Sequence, residues 1–223
     1  MAGEEGLEQS RPESSSITAI EPQVRYRDRF NIYVDGEWVA GVHAEVVAVA
    51  GLRVGQAVTV TELQDLMRAE ELRRVRDSAL HFLGYRARSR VELRRRLLQK
   101  GYDAELVEET LAALDRNGLI NDAEFSQSWV RARTGSKPMG PNRLAAELRQ
   151  KGIDRELIDE ALQVVDQDVE MDLALAMGRR KIEQLRDEDI RTARRKLGAV
   201  LMRRGFTSEV CVKVLDILLR SDE

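Results

Sequence analysis

Six arginines fall within eleven residues of this chain: Arg86, Arg88, Arg90, Arg94, Arg95 and Arg96. A second group, Arg179, Arg180, Arg191, Arg194 and Arg195, lies about a hundred residues further on. A guanidinium offers a planar fork of donors that matches a carboxylate or a phosphate, so arginine-rich clusters point to forked contacts with an anionic partner. Residues 71–100 carry a net charge of +7 and residues 179–204 carry +6, in a chain whose net charge is −3. Two basic blocks in an acidic protein suggest a partner of negative charge, or a nucleoprotein that presents both signs. The denser first block is expected to bind, and Arg191, Arg194 and Arg195 form the second candidate face.

The other residues that could do chemistry are too scattered for it. His43 and His81 stand in unrelated segments, and neither neighbours Cys211 or a spaced set of carboxylates, so no zinc site is expected. There is no phosphate loop of the G-x-x-x-x-G-K-[ST] type, no G-x-G-x-x-G after a strand and no G-x-S-x-G elbow. Acidic pairs fall in helix first turns or on polar faces. No catalytic constellation emerges, and the chain is read as a non-enzyme without cofactor or metal. Cys211 lies on an apolar stripe and is expected to be a small buried hydrophobe.

The elements that must carry the arginines repeat. Leu93-x3-Leu97-x2-Lys100-Gly101-Tyr102-Asp103 recurs as Leu144-x3-Leu148-x2-Lys151-Gly152-Ile153-Asp154 and as Leu197-x3-Leu201-x2-Arg204-Gly205-Phe206-Thr207. The cations stand 51 and 53 residues apart, a period typical of helical repeats. Leucines four apart mark the buried stripe of a helix. A cation in the last turn complements the carbonyl end, and the glycine after it can adopt the left-handed conformation that closes a helix. Asp103, Asp154 or Thr207 can then cap the next helix. On this reading Lys100, Lys151 and Arg204 terminate helices and sit on solvated faces. Each copy continues with an acidic residue and a stripe: Glu105, Val107, Leu111, Leu114; Glu156, Ile158, Leu162, Val165; Glu209, Cys211, Leu215, Leu218. A further helix precedes each pair, in Ser78–Leu83, Phe125–Arg133 and Leu173–Glu183. Stepping 100° per residue puts Arg95 opposite Leu93 and Leu97, with Arg88 near Arg95 if the helix reaches that far. Arg191 and Arg195 share a face opposite Leu197 and Leu201.

Ahead of the repeats, residues 1–16 are Glu-, Ser- and Gly-rich without apolar period and are read as a disordered tail. Phe30, Ile32 and Val34 alternate with polar neighbours, and Asp35-Gly36 then leads into Trp38 and Ala40, a strong hairpin signal. A short helix around Ala44–Ala50 follows, and Thr61-x-x-Gln64 is read as the capping box of a long helix toward Leu83. Ser89-x-x-Glu92 is a second capping box, Asn121 or Asp122 caps the helix after Gly118, and Gly140-Pro141 opens another. The expected fold is mainly α: three tandem three-helix repeats in an elongated curved array, preceded by a small α+β module with a β-hairpin. The expected divisions are 17–60 for the module, 61–120 for a linking helix and repeat one, 121–170 for repeat two and 171–223 for repeat three. With 34% charged and 4% aromatic residues, no apolar window of membrane-spanning length and no signal-peptide pattern, a cytoplasmic monomer is expected.

These residues resemble the RecX family of bacterial RecA regulators. The resemblance rests on Arg86-Ala-Arg88-Ser89-x-x-Glu92-Leu93-x3-Leu97, on Leu114-x3-Gly118-Leu119-Ile120-Asn121-Asp122-x-x-Phe125, and on Trp129-Val130-x-x-Arg133. Gly140-x-x-Arg143-Leu144-x-x-Glu147-Leu148-x-x-Lys151-Gly152-Ile153 and Arg204-Gly205-Phe206 extend it across roughly residues 72–219. Asn121 and Ser126 stand where the family often has Asp and Ala. The resemblance implies a non-enzymatic modulator that binds RecA and the RecA–DNA filament, lying in its groove and suppressing ATP hydrolysis, strand exchange and filament growth. Weak direct DNA binding would accompany it. Two other readings of the residues remain open here: a protein that binds DNA directly through its basic helical faces, and a generic helical-repeat adaptor.

Overall fold

The computed structural model describes residues 15–136 and 138–219, and the chain folds as two compact units. One comprises the N-terminal part up to Leu80 together with Glu105–Thr110, and the other comprises His81–Ala104 and the chain from Leu111 onward.

The first unit is built on a four-stranded antiparallel sheet. Strands β1 (Ser15–Pro22), β2 (Arg29–Val34), β3 (Glu37–His43) and β4 (Ala57–Val58) lie in the order β3-β2-β1-β4. Asp35 and Gly36 turn the β2–β3 hairpin with φ of 51° and 85°, the two left-handed residues that a type I′ turn demands. Ile17, Ile32, Val34 and Val42 form the buried face, covered by Val46 of α1 (Ala44–Val49) and Leu66 of α2 (Val60–Tyr85). The hairpin and the short helix match expectation. Two details differ. Ser15 and Ser16 pair with Val58 and Ala57, so the end of the expected tail is strand, while residues 1–14 lie outside the described residues. Helix α2 also starts earlier than Thr61-x-x-Gln64 suggests. The capping box is Thr59 with Glu62: Glu62 N donates to Thr59 Oγ1 at 3.2 Å, and Thr59 N donates to the Glu62 carboxylate at 2.7 Å. The same pattern stands two residues upstream with an ionised acceptor, and the charged hydrogen bond near the positive helix end prevails.

Beyond α2 the described chain is helical. After α2 come α3 (Arg90–Gln99), α4 (Ala104–Arg116), α5 (Asp122–Ser136), α6 (Pro141–Gln150), α7 (Arg155–Leu162), α8 (Gln167–Glu183), α9 (Ile190–Arg203) and α10 (Ser208–Leu219). The leucine pairs of all three repeats, Leu93/Leu97, Leu144/Leu148 and Leu197/Leu201, are fully buried. Leu144 and Leu148 pack with Phe125, Val130, Ile153 and Ile158; Leu197 and Leu201 pack with Ala174, Phe206, Val210 and Cys211. Gly101, Gly152 and Gly205 follow the three helices with φ of 85°, 76° and 82°. Asn121 caps α5, Asp189 caps α9 and Thr207 Oγ1 accepts from Val210 N. Asp154 stands at the N-cap of α7 but makes no side-chain cap bond. Among the described residues no helix is long and apolar enough to cross a membrane.

Candidate functional site: arginine faces and repeat joints

The structure sorts the nine candidate arginines by what already holds them. Helix α3 begins at Arg90 with Ser89 as its N-cap, so Arg88 lies outside it and does not share a face with Arg95. Instead the half-buried Arg88 guanidinium donates to the Phe82 carbonyl at 3.1 Å and lies 5.6 Å from that ring's centre. Burial lowers its pKa, and the charges of Arg86 and Arg96 add to that against the pull of Glu92. Arg86 holds Glu92 at 3.1 Å, Arg90 holds Asp115, and Arg194 holds Asp216 at 2.7 Å. Arg94 is exposed and also engaged. Arg95 and Arg96 on α3, with Arg191 and Arg195 on α9, are exposed, and among the described residues none of the four is in an ion pair. Arg191 and Arg195 stand four apart within one helix, as the spacing predicts.

What positions these faces is a joint that occurs twice, in which the turn ending one repeat's leucine helix sits on the start of the preceding repeat's leucine helix. In the first, Ser89 Oγ donates to the Lys151 carbonyl at 2.6 Å, and Lys151 Nζ reaches Glu92 at 2.8 Å. Gly152 lies against Val91 so closely that a Cβ there would stand 2.5 Å from the valine's. In the second, Gly140 N donates to the Arg204 carbonyl at 2.9 Å and Asn142 N to the Gly205 carbonyl at 3.0 Å. A Cβ on Gly140 would collide with the backbone of Gly205 and Phe206, and one on Gly205 with that of Arg143. Carbonyls at the end of one helix thereby meet donors at the start of another, which satisfies groups that helix ends otherwise leave to water.

The first joint also holds an aromatic cluster. Trp129 stacks with Phe125 at 5.8 Å and has Lys151 Nζ 4.2 Å and the Arg133 guanidinium 4.3 Å from its ring centre. Its indole N–H donates to Glu147 at 3.2 Å, and Arg133 pairs with that carboxylate at 3.3 Å. Lys151 is therefore not on a solvated face; its side chain is only 15% exposed. Nothing local reveals this, because Glu92 lies 59 residues away in sequence. Ser89 Oγ does accept from Glu92 N at 3.1 Å, so half of the expected capping box forms. The other half is replaced: the Glu92 carboxylate turns to Arg86 and Lys151.

Burial raises the Glu92 pKa, but hydrogen bonds from Arg86 and Lys151, with their charges, outweigh it and bring the carboxyl down to about 2 from 4.5. A carboxyl depressed on folding contributes stability that is present above its unfolded pKa and is lost as pH falls through the folded one. The joint should therefore weaken between about pH 4.5 and pH 2. Glu92→Gln should lower the melting temperature at pH 7 and flatten its decline over that window, as thermal melts in acidic buffers would register. An unchanged acid limb would contradict this assignment.

The two joints thus fix neighbouring repeats to one another through hydrogen bonds and close packing, and leave four guanidinium groups on exposed helix faces. Family models for the RecX N-terminal domain and for its first, second and third three-helix domains match residues 15–59, 76–114, 121–162 and 168–215. The chain is 30% identical to regulatory protein RecX of Clostridioides difficile (strain 630), covering 93% of this chain and 97% of that protein. It is 36% identical to regulatory protein RecX of Amycolatopsis mediterranei (strain U-32), over 68% and 86% of the two chains. A crystal structure of regulatory protein RecX superposes with a TM-score of 0.77 at 28% identity, over 91% of this chain and 99% of that one. The RecX structure from Lactobacillus salivarius, at 22% identity and a TM-score of 0.63, shares the fold. With all four domains matched in order and relatives aligned along most of its length, the chain belongs to the RecX family of regulatory proteins.

Proposed function

We propose that this chain is a non-enzymatic regulator that binds the RecA–DNA filament, inhibits RecA's ATP hydrolysis and strand exchange, and limits filament growth. It would act in the cytoplasm as a monomer during recombination and DNA repair. The observation that carries the reading is the set of exposed guanidinium groups at Arg95, Arg96, Arg191 and Arg195, mounted on helices whose leucines are fully buried. Arg86, Arg90 and Arg194 spend their charge on neighbouring carboxylates, Arg88 turns back to Phe82 and Arg94 is engaged as well, so these five contribute less to the faces. Such groups suit a filament that offers both phosphate and acidic side chains. Regulation then needs no chemistry from this chain, only a preference for one filament geometry over another.

Two double reversals test it, Arg95→Glu with Arg96→Glu and Arg191→Glu with Arg195→Glu. Each should leave stability within about 0.5 kcal/mol, as exposed substitutions do. Each should weaken binding to RecA filaments, because it adds repulsion as well as removing attraction. Where the contacts are to phosphate, the log–log salt slope should fall by roughly one unit for each lost contact. The α3 pair should matter more, since its cluster is denser. Wild-type inhibition by both variants would reduce these faces to solvated helix surface. Equal binding to bare DNA and to RecA-coated DNA would favour a direct DNA-binding protein instead.

A further inference from the structure

Aromatic residues make up only 4% of this chain, and one of them stands in solvent beside its densest run of cations. Tyr85, the last residue of α2, is 73% exposed, whereas the aromatic residues that follow it, Tyr102, Phe125, Trp129 and Phe206, are buried or half-buried. His81, one turn earlier on the same helix and itself exposed, meets the Tyr85 ring at 5.0 Å with the planes 89° apart. A T-shaped pair of this kind is favourable and restrains the ring. Phe82, half-buried between them in sequence, has the Arg88 guanidinium 5.6 Å and Lys100 Nζ 5.3 Å from its ring centre. Its carbonyl accepts from Arg88 at 3.1 Å, which sets a cation on the carbonyl end of α2. Arg96 lies close enough to Arg88 for its charge to help lower that group's pKa. It is exposed and, among the described residues, in no ion pair. Residues 81–100 hold seven cations and one carboxylate, Glu92, which Arg86 and Lys151 already neutralise.

We propose that Tyr85, braced by His81, is a stacking platform for an unpaired base of single-stranded DNA, with Arg96 taking a phosphate of the same strand. The inference rests on the filament reading above, in which the partner carries DNA, and names the site that engages the strand. Every base has a π face, so an exposed ring among cations holds single strands with little regard to sequence. A base within a duplex is already stacked on both sides and leaves the ring nothing to cover. An acidic peptide would satisfy the cations but not the ring, whereas a nucleotide brings a flat base and a phosphate together. Trp38 is also 60% exposed, but residues 1–70 hold six cations against twelve carboxylates, so that ring lacks the charge a phosphate needs.

Fluorescence anisotropy at low salt tests this with three labelled probes: an oligothymidylate, an abasic strand of the same length, and the oligothymidylate paired with oligoadenylate. The full chain should bind the oligothymidylate more tightly than either of the others. Tyr85→Ala should weaken that binding by about five-fold or more, the scale of one base–aromatic stack, and leave the abasic strand bound as before. Tyr85→Phe keeps the ring and should bind like wild type. Because the side chain is exposed, both variants should melt close to wild type, and their hold on the abasic strand gives a second check on folding.

Equal wild-type affinity for the oligothymidylate and the abasic strand would overturn the inference, since cations alone would then do the binding. So would an oligothymidylate affinity that Tyr85→Ala leaves unchanged, or no wild-type binding to the oligothymidylate at all. Loss of RecA-filament binding by Tyr85→Ala with its oligothymidylate affinity intact would assign the ring to the filament's protein component and overturn the DNA assignment. Wild-type protein that stacks on the oligothymidylate through Tyr85 but leaves RecA's ATP hydrolysis untouched would overturn the filament reading and not this site.

Discussion

Gly205→Ala is expected to destabilise the protein much more than Gly101→Ala, although the two glycines occupy the same repeat position and the same backbone conformation. Both variants place a Cβ on left-handed backbone, at a cost of about 1–2 kcal/mol. Only at Gly205 does that Cβ collide with neighbouring backbone, at Arg143, whereas Gly101 faces open space. Forcing atoms into a packed joint adds roughly 1–3 kcal/mol. Gly140→Ala isolates the steric part, because Gly140 has an ordinary φ of −77° and a Cβ there would strike Gly205 and Phe206. Denaturant melts should rank the losses with Gly205 first. Faster hydrogen exchange at Gly140 and Asn142, whose amides donate across the joint, should accompany it. Equal melting of Gly101→Ala and Gly205→Ala would mean that the second joint does not form.

The second large effect concerns the leucines. Leu97→Ala and Leu148→Ala should each cost roughly 2–5 kcal/mol, the range for deleting a buried leucine side chain. Both side chains are fully buried and occupy equivalent places in their repeats. Leu148 packs among Val130, Leu144, Ile153 and Ile158, so its loss leaves a cavity walled by helices from one repeat. For a chain of this size each kcal/mol lowers the melting temperature by about 2–4 °C. Calorimetry would measure the drop. A variant that melts like wild type would place that leucine outside the core.

Much of this was readable along the chain because it is governed by local chemistry. Leucines four apart, a cation at a helix end, a glycine that turns left-handed and an Asp-Gly hairpin each depend on a few neighbouring residues. Strand β1 was less readable, since Ser15 and Ser16 look like the polar segment before them and become strand only by pairing with Val58 and Ala57. The two-residue β4 carries no pattern of its own. The arginine faces were readable in part. Helical spacing placed Arg191 and Arg195 together, but it could not show that Arg88 turns back to Phe82 or that Arg90 and Arg194 hold carboxylates. The joints were not readable at all as joints. Lys151, Glu92 and Trp129 meet across long separations, and the Lys-Gly signature, fully explained by helix termination, concealed that the same turn is also a packing surface.

If this chain regulates RecA as proposed, it does so through binding alone. The most direct test is RecA's DNA-dependent ATP hydrolysis, followed while the protein is titrated in at fixed DNA. The rate should fall toward a plateau at or below one chain per RecA, with no hydrolysis by this chain in RecA's absence. A rate that stays flat through a large excess would contradict the regulatory role proposed here. Intrinsic hydrolysis that disappears when one of this chain's own carboxylates is replaced would contradict the claim that it is not an enzyme.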